Sequence, residues 1–230
     1  MNGLIHSSLY FGMLVSVGAY MLGVWLKKKT GWAILNPLLV AIIVVIAFLS
    51  VFHIEYKEYN RGAVYLSYFQ TPATVCLAIP LYKQLELLRQ HLIAVVSAIV
   101  AGVAGSVGSI YVMCRFFQLE HTHYVTLLPK SITTAIGMGV SEEAGGIVTL
   151  TVISIIITGI LGNIIADWLF QIFKIEEPIA KGLALGTAAH AIGTAKALEL
   201  GEIEGAMSSL SIAVAGLLTV VVVPLMSGLI

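Results

Sequence analysis

The chain has 230 residues, of which 59% are hydrophobic and 10% are charged, and its mean hydropathy is +0.99. This composition is typical of an integral membrane protein. Twelve basic and twelve acidic residues leave no net charge, so nothing indicates a nucleic-acid partner. Because a membrane-crossing helix needs about 20 apolar residues, we predict an all-α, polytopic membrane protein with about seven or eight membrane segments, some interrupted or re-entrant. We expect one integral membrane domain, residues 1–230.

Two apolar segments come first, at residues 4–26 and 33–52. The first is too long for a cleaved signal peptide, so we interpret it as a retained span. Lys27, Lys28 and Lys29 follow it, and the positive-inside rule predicts that these lysines face the cytoplasm.

The next two segments differ in character. Residues 62–82 contain polar and helix-breaking residues, which predict a kinked or half-membrane element. These residues are Ser67, Gln70, Thr71, Pro72, Thr74 and Pro80. Residues 92–113 form an apolar span in which Ala101, Gly105 and Ser109 place a small residue at every fourth position. Such a pattern lets another helix backbone approach closely.

A polar stretch follows at residues 127–146, with the sequence LLPKSITTAIGMGVSEEAGG. It lies between the apolar runs 92–113 and 147–170, so we predict that it is held at membrane depth. Polar, broken backbone at that depth usually lines a path or a binding site. Residues 178–200 are also weakly apolar and repeat the AIG triplet of the polar stretch. We therefore predict that the two segments face each other across one site, with residues 206–230 as a last apolar span.

The chain also shows internal similarity. Shifting it by 57 residues aligns prolines, serines and glycines, for example Pro72 with Pro129. We predict repeat-like units at residues 62–117, 127–174 and 178–228, each a broken polar element followed by an apolar helix. Secondary transporters build a midplane site from such repeats. The sequence leaves open whether the broken elements are re-entrant or span the membrane.

Lys130 is the most unusual charge in the polar stretch. An isolated ammonium near the bilayer centre costs about 2.5–3.5 kcal/mol, so it needs a partner. One hypothesis is that Lys130 pairs with a substrate carboxylate, helped by the N–H groups of a half-helix. The hydroxyls of Ser131, Thr133 and Thr134 would assist. The alternatives are a structural pair with a glutamate and snorkelling at a helix end.

Two other ionisable residues, His190 and Glu143, are candidates for proton coupling. Histidine titrates near neutrality and could relay a proton, but a hydrogen-bonded packing histidine fits the pattern as well. Glu143 and its neighbour Glu142 precede two glycines. The alternatives to proton coupling are the end of a half-helix and a solvated turn, which the glycines favour because polar residues before glycines indicate an exit to water. Lys196 and Glu199 lie within one helical turn and predict an interfacial pair.

Motifs of common enzymes are absent from the sequence. It contains no nucleophile elbow, no phosphate-binding loop and no metalloprotease helix, and Cys76 and Cys114 show no zinc-like spacing. We therefore expect no enzymatic activity, no cofactor and no bound metal.

Three motifs in the second half of the chain carry a family resemblance. They are LPKSITTAIGMGVSEEAGGI, TGILGN and GLALGTAAHAIGTAKALELGEIEGAMSSL. Together they resemble the LrgB/CidB family of bacterial inner-membrane proteins, which includes the YohK-like proteins and the related half of the plant plastid glycolate/glycerate translocator. The resemblance covers essentially the whole chain and implies a bacterial inner-membrane location.

This resemblance implies two functions. One is carriage of small monocarboxylates such as pyruvate, glycolate or glycerate, and the other is holin-like or antiholin-like regulation of murein hydrolase activity and lysis. We favour the carrier and expect its substrate site at Lys130, Ser131, Thr133, Thr134, His190 and Thr194. The resemblance also implies a small LrgA/CidA-type membrane partner, and we expect a homo-oligomer, taken as a dimer.

Overall fold

The computed structural model describes residues 10–32 and 35–230. Within these residues it has twelve α-helices and no strand. The helices are α1 (Phe11–Thr30), α2 (Pro37–Val51), α3 (Tyr56–Ser67), α4 (Gln70–Cys76), α5 (Ala78–Lys83), α6 (Leu85–Gln90), α7 (Leu92–Phe116), α8 (His121–Leu127), α9 (Thr134–Glu143), α10 (Val148–Ile172), α11 (Pro178–Leu200) and α12 (Glu202–Ser227). The starts of the first two predicted spans, residues 4–9 and 33–34, lie outside the described residues.

Four helical stretches in the described part of the chain are long and apolar enough to cross a membrane. They are Tyr56–Lys83, Leu92–Phe116, Val148–Ile172 and Glu202–Ser227, and Pro37–Val51 is a shorter apolar helix. The first of the four is divided into three short helices, with interruptions after Ser67 and Cys76. The prediction of an all-α, polytopic membrane protein with interrupted segments is confirmed.

The helices form two compact units, of which the first ends at Cys76. In this unit α1 packs against α2 and α3. A Cβ added to Gly12 of α1 would collide with the backbone of Tyr59 in α3, so this close helix contact requires a glycine. The hydroxyls of Ser16 and Tyr59 lie 2.6 Å apart across the same contact.

The second unit comprises Leu77–Ile230. Its hydrophobic core lies largely between α7, α8 and α12 and contains the fully buried side chains of Val95, Ile99, Tyr124 and Met207. This packing holds α8 and α12 against the membrane-crossing helix α7.

Helices α7 and α10 run in opposite directions through the second unit. Near the end of α7, the ring of Tyr111 lies 6.2 Å from the ring of Tyr124 in α8. At the end of α8, the hydroxyl of Thr126 accepts the N–H of Ile147 at 2.8 Å, and Ile147 immediately precedes α10. The end of α7 and the beginning of α10 therefore lie on the same side of the unit.

Residues 127–146 leave this side of the unit and return to it. Their flanking residues, Thr126 and Ile147, are hydrogen-bonded to each other. The hydroxyl of Thr151 strengthens the closure, since it lies 2.7 Å from the hydroxyl oxygen of Ser141 and 2.9 Å from the carbonyl oxygen of Thr126. Helices α8 and α9 and the turn between them therefore form a re-entrant element, which we name the first hairpin.

Helix α11 is broken at His190, whose backbone φ of 41° and ψ of −132° are not helical. The first half of α11 runs parallel to α12. A Cβ added to Gly182 would meet the backbone of Glu204, and one added to Gly186 would meet the backbone of Ser208. Successive positions of the two elements therefore pair in the same order.

The second half of α11 runs back along α12 in the opposite direction. Gly205 of α12 packs against Leu198, and Ser208, further along α12, lies 2.7 Å from the hydroxyl of Thr194. The two halves of α11 therefore form a second hairpin. It starts after the end of α10 and leads into the start of α12, so it enters from the side opposite the first hairpin.

A membrane-crossing helix followed by a hairpin thus occurs twice, in opposite orientations. Helix α7 begins at residue 92 and α10 at residue 148, a spacing of 56 residues, and the AIG triplets at residues 135–137 and 191–193 have the same spacing. The sequence shift of 57 differs by one residue, and the three units proposed from it stay a prediction. Inverted repeats with interrupted helices are a common architecture of secondary transporters.

Candidate functional site

A cavity of about 970 Å³ lies between α7, the tip of the first hairpin, α10 and the first half of α11. Most of its wall is apolar. The polar and charged residues that line it are His91, Ser106, Ser109, Lys130, Ser131, Thr158, Glu177 and Thr187. The cavity is therefore an apolar chamber with one polar region, the usual composition of a small-molecule site.

The cavity extends from the beginnings of α7 and α11 to an inner end at the tip of the first hairpin. His91 directly precedes α7 and Glu177 directly precedes α11, so both lie on the side of the unit where these helices begin. Lys130 and Ser131 come from the tip of the first hairpin, and Thr187 lies one turn before the break in α11. The inner end of the cavity is thus formed where the two hairpins approach each other.

Lys130 is half-buried, and its ammonium donates to the Ser131 hydroxyl oxygen at 3.1 Å. That oxygen also lies 2.9 Å from the hydroxyl oxygen of Ser106 on α7. Among the residues that the structure describes, none forms an ion pair with Lys130. A cation in an apolar setting is stabilised by a negative partner, so this position suits an anionic ligand.

Thr133 and Thr134 lie beside the cavity at the beginning of α9. Thr133 is the N-cap residue of this helix, with an extended backbone, but its side chain makes no capping hydrogen bond. The first N–H groups of α9 therefore keep their capacity to donate, and the helix dipole adds partial positive charge there. Neither threonine belongs to the cavity wall.

His190 and Thr194 lie behind the cavity wall and hold the break in α11. The Nε2 atom of His190 is 2.9 Å from the carbonyl oxygen of Ile155. Because a carbonyl only accepts, Nε2 carries the hydrogen and donates. The Thr194 hydroxyl donates to the His190 carbonyl at 3.0 Å, so the hydroxyl of Ser208, 2.7 Å from Thr194, is the donor of that pair. Both residues are buried and neither lines the cavity.

Two glycines of α10 face the break in α11. A Cβ on Gly159 would come within 2.8 Å of the His190 ring, and one on Gly162 within 2.6 Å of the Ala189 side chain. The Asn163 side chain donates to the carbonyl of Ile192 at 3.2 Å. The glycines of TGILGN therefore have a packing role, because they let the second hairpin approach α10 closely.

The remaining candidates lie away from the cavity. Glu143 is the exposed last residue of α9 and does not line the cavity. Lys196 forms an ion pair with Asp167 of α10, with 2.7 Å between its Nζ and a carboxylate oxygen. This pair joins the second half of α11 to α10 and leaves Lys130 as the cation of the inner cavity.

Two residues of the inner cavity, Ser106 and Thr187, were not predicted from the sequence. Ser106 directly follows Gly105, a member of the small-residue pattern on α7, and Thr187 lies in the GTAAH segment before the break. Thr187 could have been identified from the sequence because it lies in the motif around His190. Nothing in the sequence indicates that Ser106 contacts Ser131, because that contact depends on how the hairpin folds.

Comparison with known proteins agrees with the motifs. The profile of the LrgB-like family matches residues 16–229. The antiholin-like protein LrgB of Bacillus mycoides (strain KBAB4) is 41% identical over 217 residues, 94% of each chain. The protein of the same name in Bacillus subtilis (strain 168) is 38% identical over 216 residues, again 94% of each chain. No solved structure matches. The chain therefore belongs to the LrgB-like family.

Proposed function

We propose that the chain is a secondary carrier for small monocarboxylates of the pyruvate, glycolate or glycerate type. The observation that carries this proposal is the position of Lys130, a cation at the inner end of a cavity with no ion-pair partner among the described residues. The volume of the chamber around it, about 970 Å³, lies within the usual range of small-molecule sites. We propose the bacterial inner membrane as its location, which the membrane-crossing helices and the bacterial relatives support.

In this proposal each group at the inner end has a role. Lys130 binds the carboxylate, with Ser131 orienting the ammonium through their 3.1 Å hydrogen bond. The N-terminus of α9, which begins at Thr134, adds partial positive charge. His190 and Thr194 act indirectly, because they hold the break in α11 that brings the cavity wall into position.

Transport requires that the site open alternately to the two sides of the membrane. The two hairpins enter the second unit from opposite sides, and the cavity extends towards the side from which the second hairpin enters. Movement of one hairpin relative to α10 would close the cavity on this side and open it to the other. Inverted repeats with broken helices support such a mechanism in secondary transporters generally.

Proton coupling through His190 or Glu143 is a separate part of the proposal. Glu143 is exposed at the end of α9, whereas His190 already uses Nε2 to bind Ile155. The substitution Glu143→Gln tests the carboxylate without disturbing the core. If Glu143 couples protons, uptake by this variant becomes independent of a pH gradient; uptake that still follows the gradient removes Glu143 from the proposal.

Binding can be tested without reconstitution. A ligand that binds only the folded protein stabilises it by RT ln(1 + [L]/Kd), about 2.7 kcal/mol at a hundredfold excess over Kd. Purified full-length chain should therefore melt at a higher temperature with pyruvate, glycolate or glycerate, but not with uncharged 1,2-propanediol. Equal melting temperatures across the whole panel would contradict carboxylate binding.

The second candidate function is antiholin-like regulation of murein hydrolase activity and lysis. The names of the curated relatives favour it over carriage, since both proteins compared above are called antiholin-like LrgB. It would involve a homo-oligomer and a small LrgA/CidA-type membrane partner. This function predicts that the chain alters dye or ion leakage from vesicles without saturation and without competition among carboxylates.

A further inference from the structure

Thr187 carries a buried hydroxyl at the inner end of the cavity. The residue is only 6% exposed, and its Oγ1 atom has no hydrogen-bond partner among the described residues. Buried hydroxyls nearly always have a partner, and an unpaired one is unfavourable. The same side chain lines the cavity together with Lys130, so a bound ligand is a natural partner for it.

The neighbouring hydroxyls show how unusual this is. A serine or threonine in a helix commonly donates to the carbonyl four residues earlier. Thr194, Ser209, Ser211 and Thr219 all do so, at 2.7–3.0 Å. Thr187 does not, although Leu183 offers it an equivalent carbonyl.

The packing of the Thr187 methyl group explains the difference. Its Cγ2 lies 2.5 Å from the position that a Cβ of Gly102 would occupy, whereas its Oγ1 lies 3.8 Å from that position. The methyl group therefore fills the space left by the missing side chain on α7. This contact fixes the χ1 rotamer of Thr187 and turns the hydroxyl away from Gly102.

Thr187 also borders a small recess beside the cavity. The recess has a volume of about 10 Å³, and Ser106, Ser131 and Thr187 contribute to both spaces. Such a volume holds about one water-sized group. A hydroxyl or keto oxygen fits there, whereas a carboxylate or a longer substituent does not.

We propose that Thr187 is a specificity-determining residue, whose hydroxyl binds the oxygen substituent on the carbon next to the ligand carboxylate while Lys130 binds the carboxylate. This rests on the proposed carrier function. The ligand class is then a short acid with an oxygen on carbon 2. The corresponding acid without that oxygen leaves the Thr187 hydroxyl unpaired and binds more weakly.

The test compares glycolate with acetate, which differ by one hydroxyl, by calorimetric titration of the purified full-length chain. Wild type should prefer glycolate. Thr187→Val keeps a branched side chain on Gly102 but removes the hydroxyl, so it should lower the glycolate-to-acetate preference about tenfold, mostly by weakening glycolate binding. Ser97→Ala is the control, because Ser97 lies on α7 outside the cavity wall and already donates to the Ala94 carbonyl at 3.0 Å. It should leave the preference unchanged.

The outcomes separate this inference from the carrier proposal. If wild type binds neither acid, both fail. If wild type binds both acids equally, or if Thr187→Val keeps the preference, the Thr187 hydroxyl has no role in selection while carboxylate binding by the chain stands. Thr187→Ala removes the same hydroxyl and gives the same comparison if the valine variant does not fold.

Discussion

The His190 ring donates from Nε2 to the carbonyl oxygen of Ile155 at 2.9 Å, and this contact marks the place where the two hairpins meet. Ile155 belongs to α10. Its carbonyl oxygen accepts the hydrogen bond from the second hairpin. Its side chain packs on Gly137 of the first hairpin, with its Cδ1 atom 2.5 Å from the position that a Cβ of Gly137 would occupy. Both AIG-bearing segments therefore contact one residue of one membrane-crossing helix.

Closure of the first hairpin depends on Thr126. Its hydroxyl accepts the N–H of Ile147 at 2.8 Å and donates to the carbonyl of Thr122 at 2.6 Å. Thr126→Val keeps the shape but leaves the N–H of Ile147 unpaired, so we expect a loss of about 1–2 kcal/mol of unfolding free energy. Denaturation of the purified protein measures this loss.

Ser154→Ala is the control for Thr126→Val. Ser154 donates only within α10, to the Thr151 carbonyl at 2.8 Å, so its loss should cost much less. Equal stability of the two variants would mean that the Thr126 contact does not hold the hairpin closed.

Gly193 permits the second hairpin to fold back on itself. A Cβ at this position would collide with the carbonyl of Leu185 and lie 2.7 Å from the Ala189 side chain. We expect Gly193→Ala to prevent close packing of the two halves of α11, with a loss of about 1–3 kcal/mol of stability or a failure to fold. Thermal melting and yield of folded protein are the measurements.

Gly139→Ala is the matched control, because no atom of the residues that the structure describes lies within 4 Å of a Cβ added there. Alanine favours a helix over glycine by about 1 kcal/mol, so this variant should be as stable as wild type or more so. Equal melting temperatures for Gly193→Ala and Gly139→Ala would contradict the hairpin geometry.

At His190 we expect glycine to be more stable than alanine, the reverse of the usual preference inside a helix. With φ at 41° and ψ at −132°, a residue with a Cβ is strained by about 1–3 kcal/mol. His190→Gly should therefore be more stable than His190→Ala, since both lose the bond to Ile155 but only glycine relieves the strain. Melting temperatures of the two variants give the comparison.

At an ordinary helical position the order should reverse. Ala195 lies exposed in the second half of α11, and Ala195→Gly should lose about 0.5–1 kcal/mol. If His190→Ala were the more stable of the two His190 variants, α11 would have to be a continuous helix.

The sequence was sufficient to predict the helical fold and which segments are interrupted. Long apolar runs identify α7, α10 and α12, and the polar residues around Lys130 indicate an interrupted element. Whether that element crosses the membrane or returns could not be predicted. Its return depends on the bond between Thr126 and Ile147, which are ordinary residues in the sequence and meet only in the folded chain.

In the candidate site, too, one residue could be predicted from the sequence and another could not. Lys130 stands out because a charge among apolar residues is costly, and its place in the cavity follows from the hairpin tip. Thr187 does not stand out, since a threonine in a small-residue helix usually binds its own backbone. Its methyl contact with Gly102 leaves the hydroxyl without a partner in the described part of the chain, and that contact joins residues far apart in the sequence.

The most direct test of the carrier proposal is counterflow in vesicles that contain the purified chain. Vesicles loaded with unlabelled glycolate and diluted into a trace of labelled glycolate should transiently accumulate label above equilibrium. Lys130→Met should abolish this overshoot, whereas Lys83→Met, which removes an exposed cation 3.8 Å from Glu202, should retain it. Label that equilibrates without an overshoot in wild type, or an overshoot that persists in Lys130→Met, would contradict a carrier with Lys130 in its binding site.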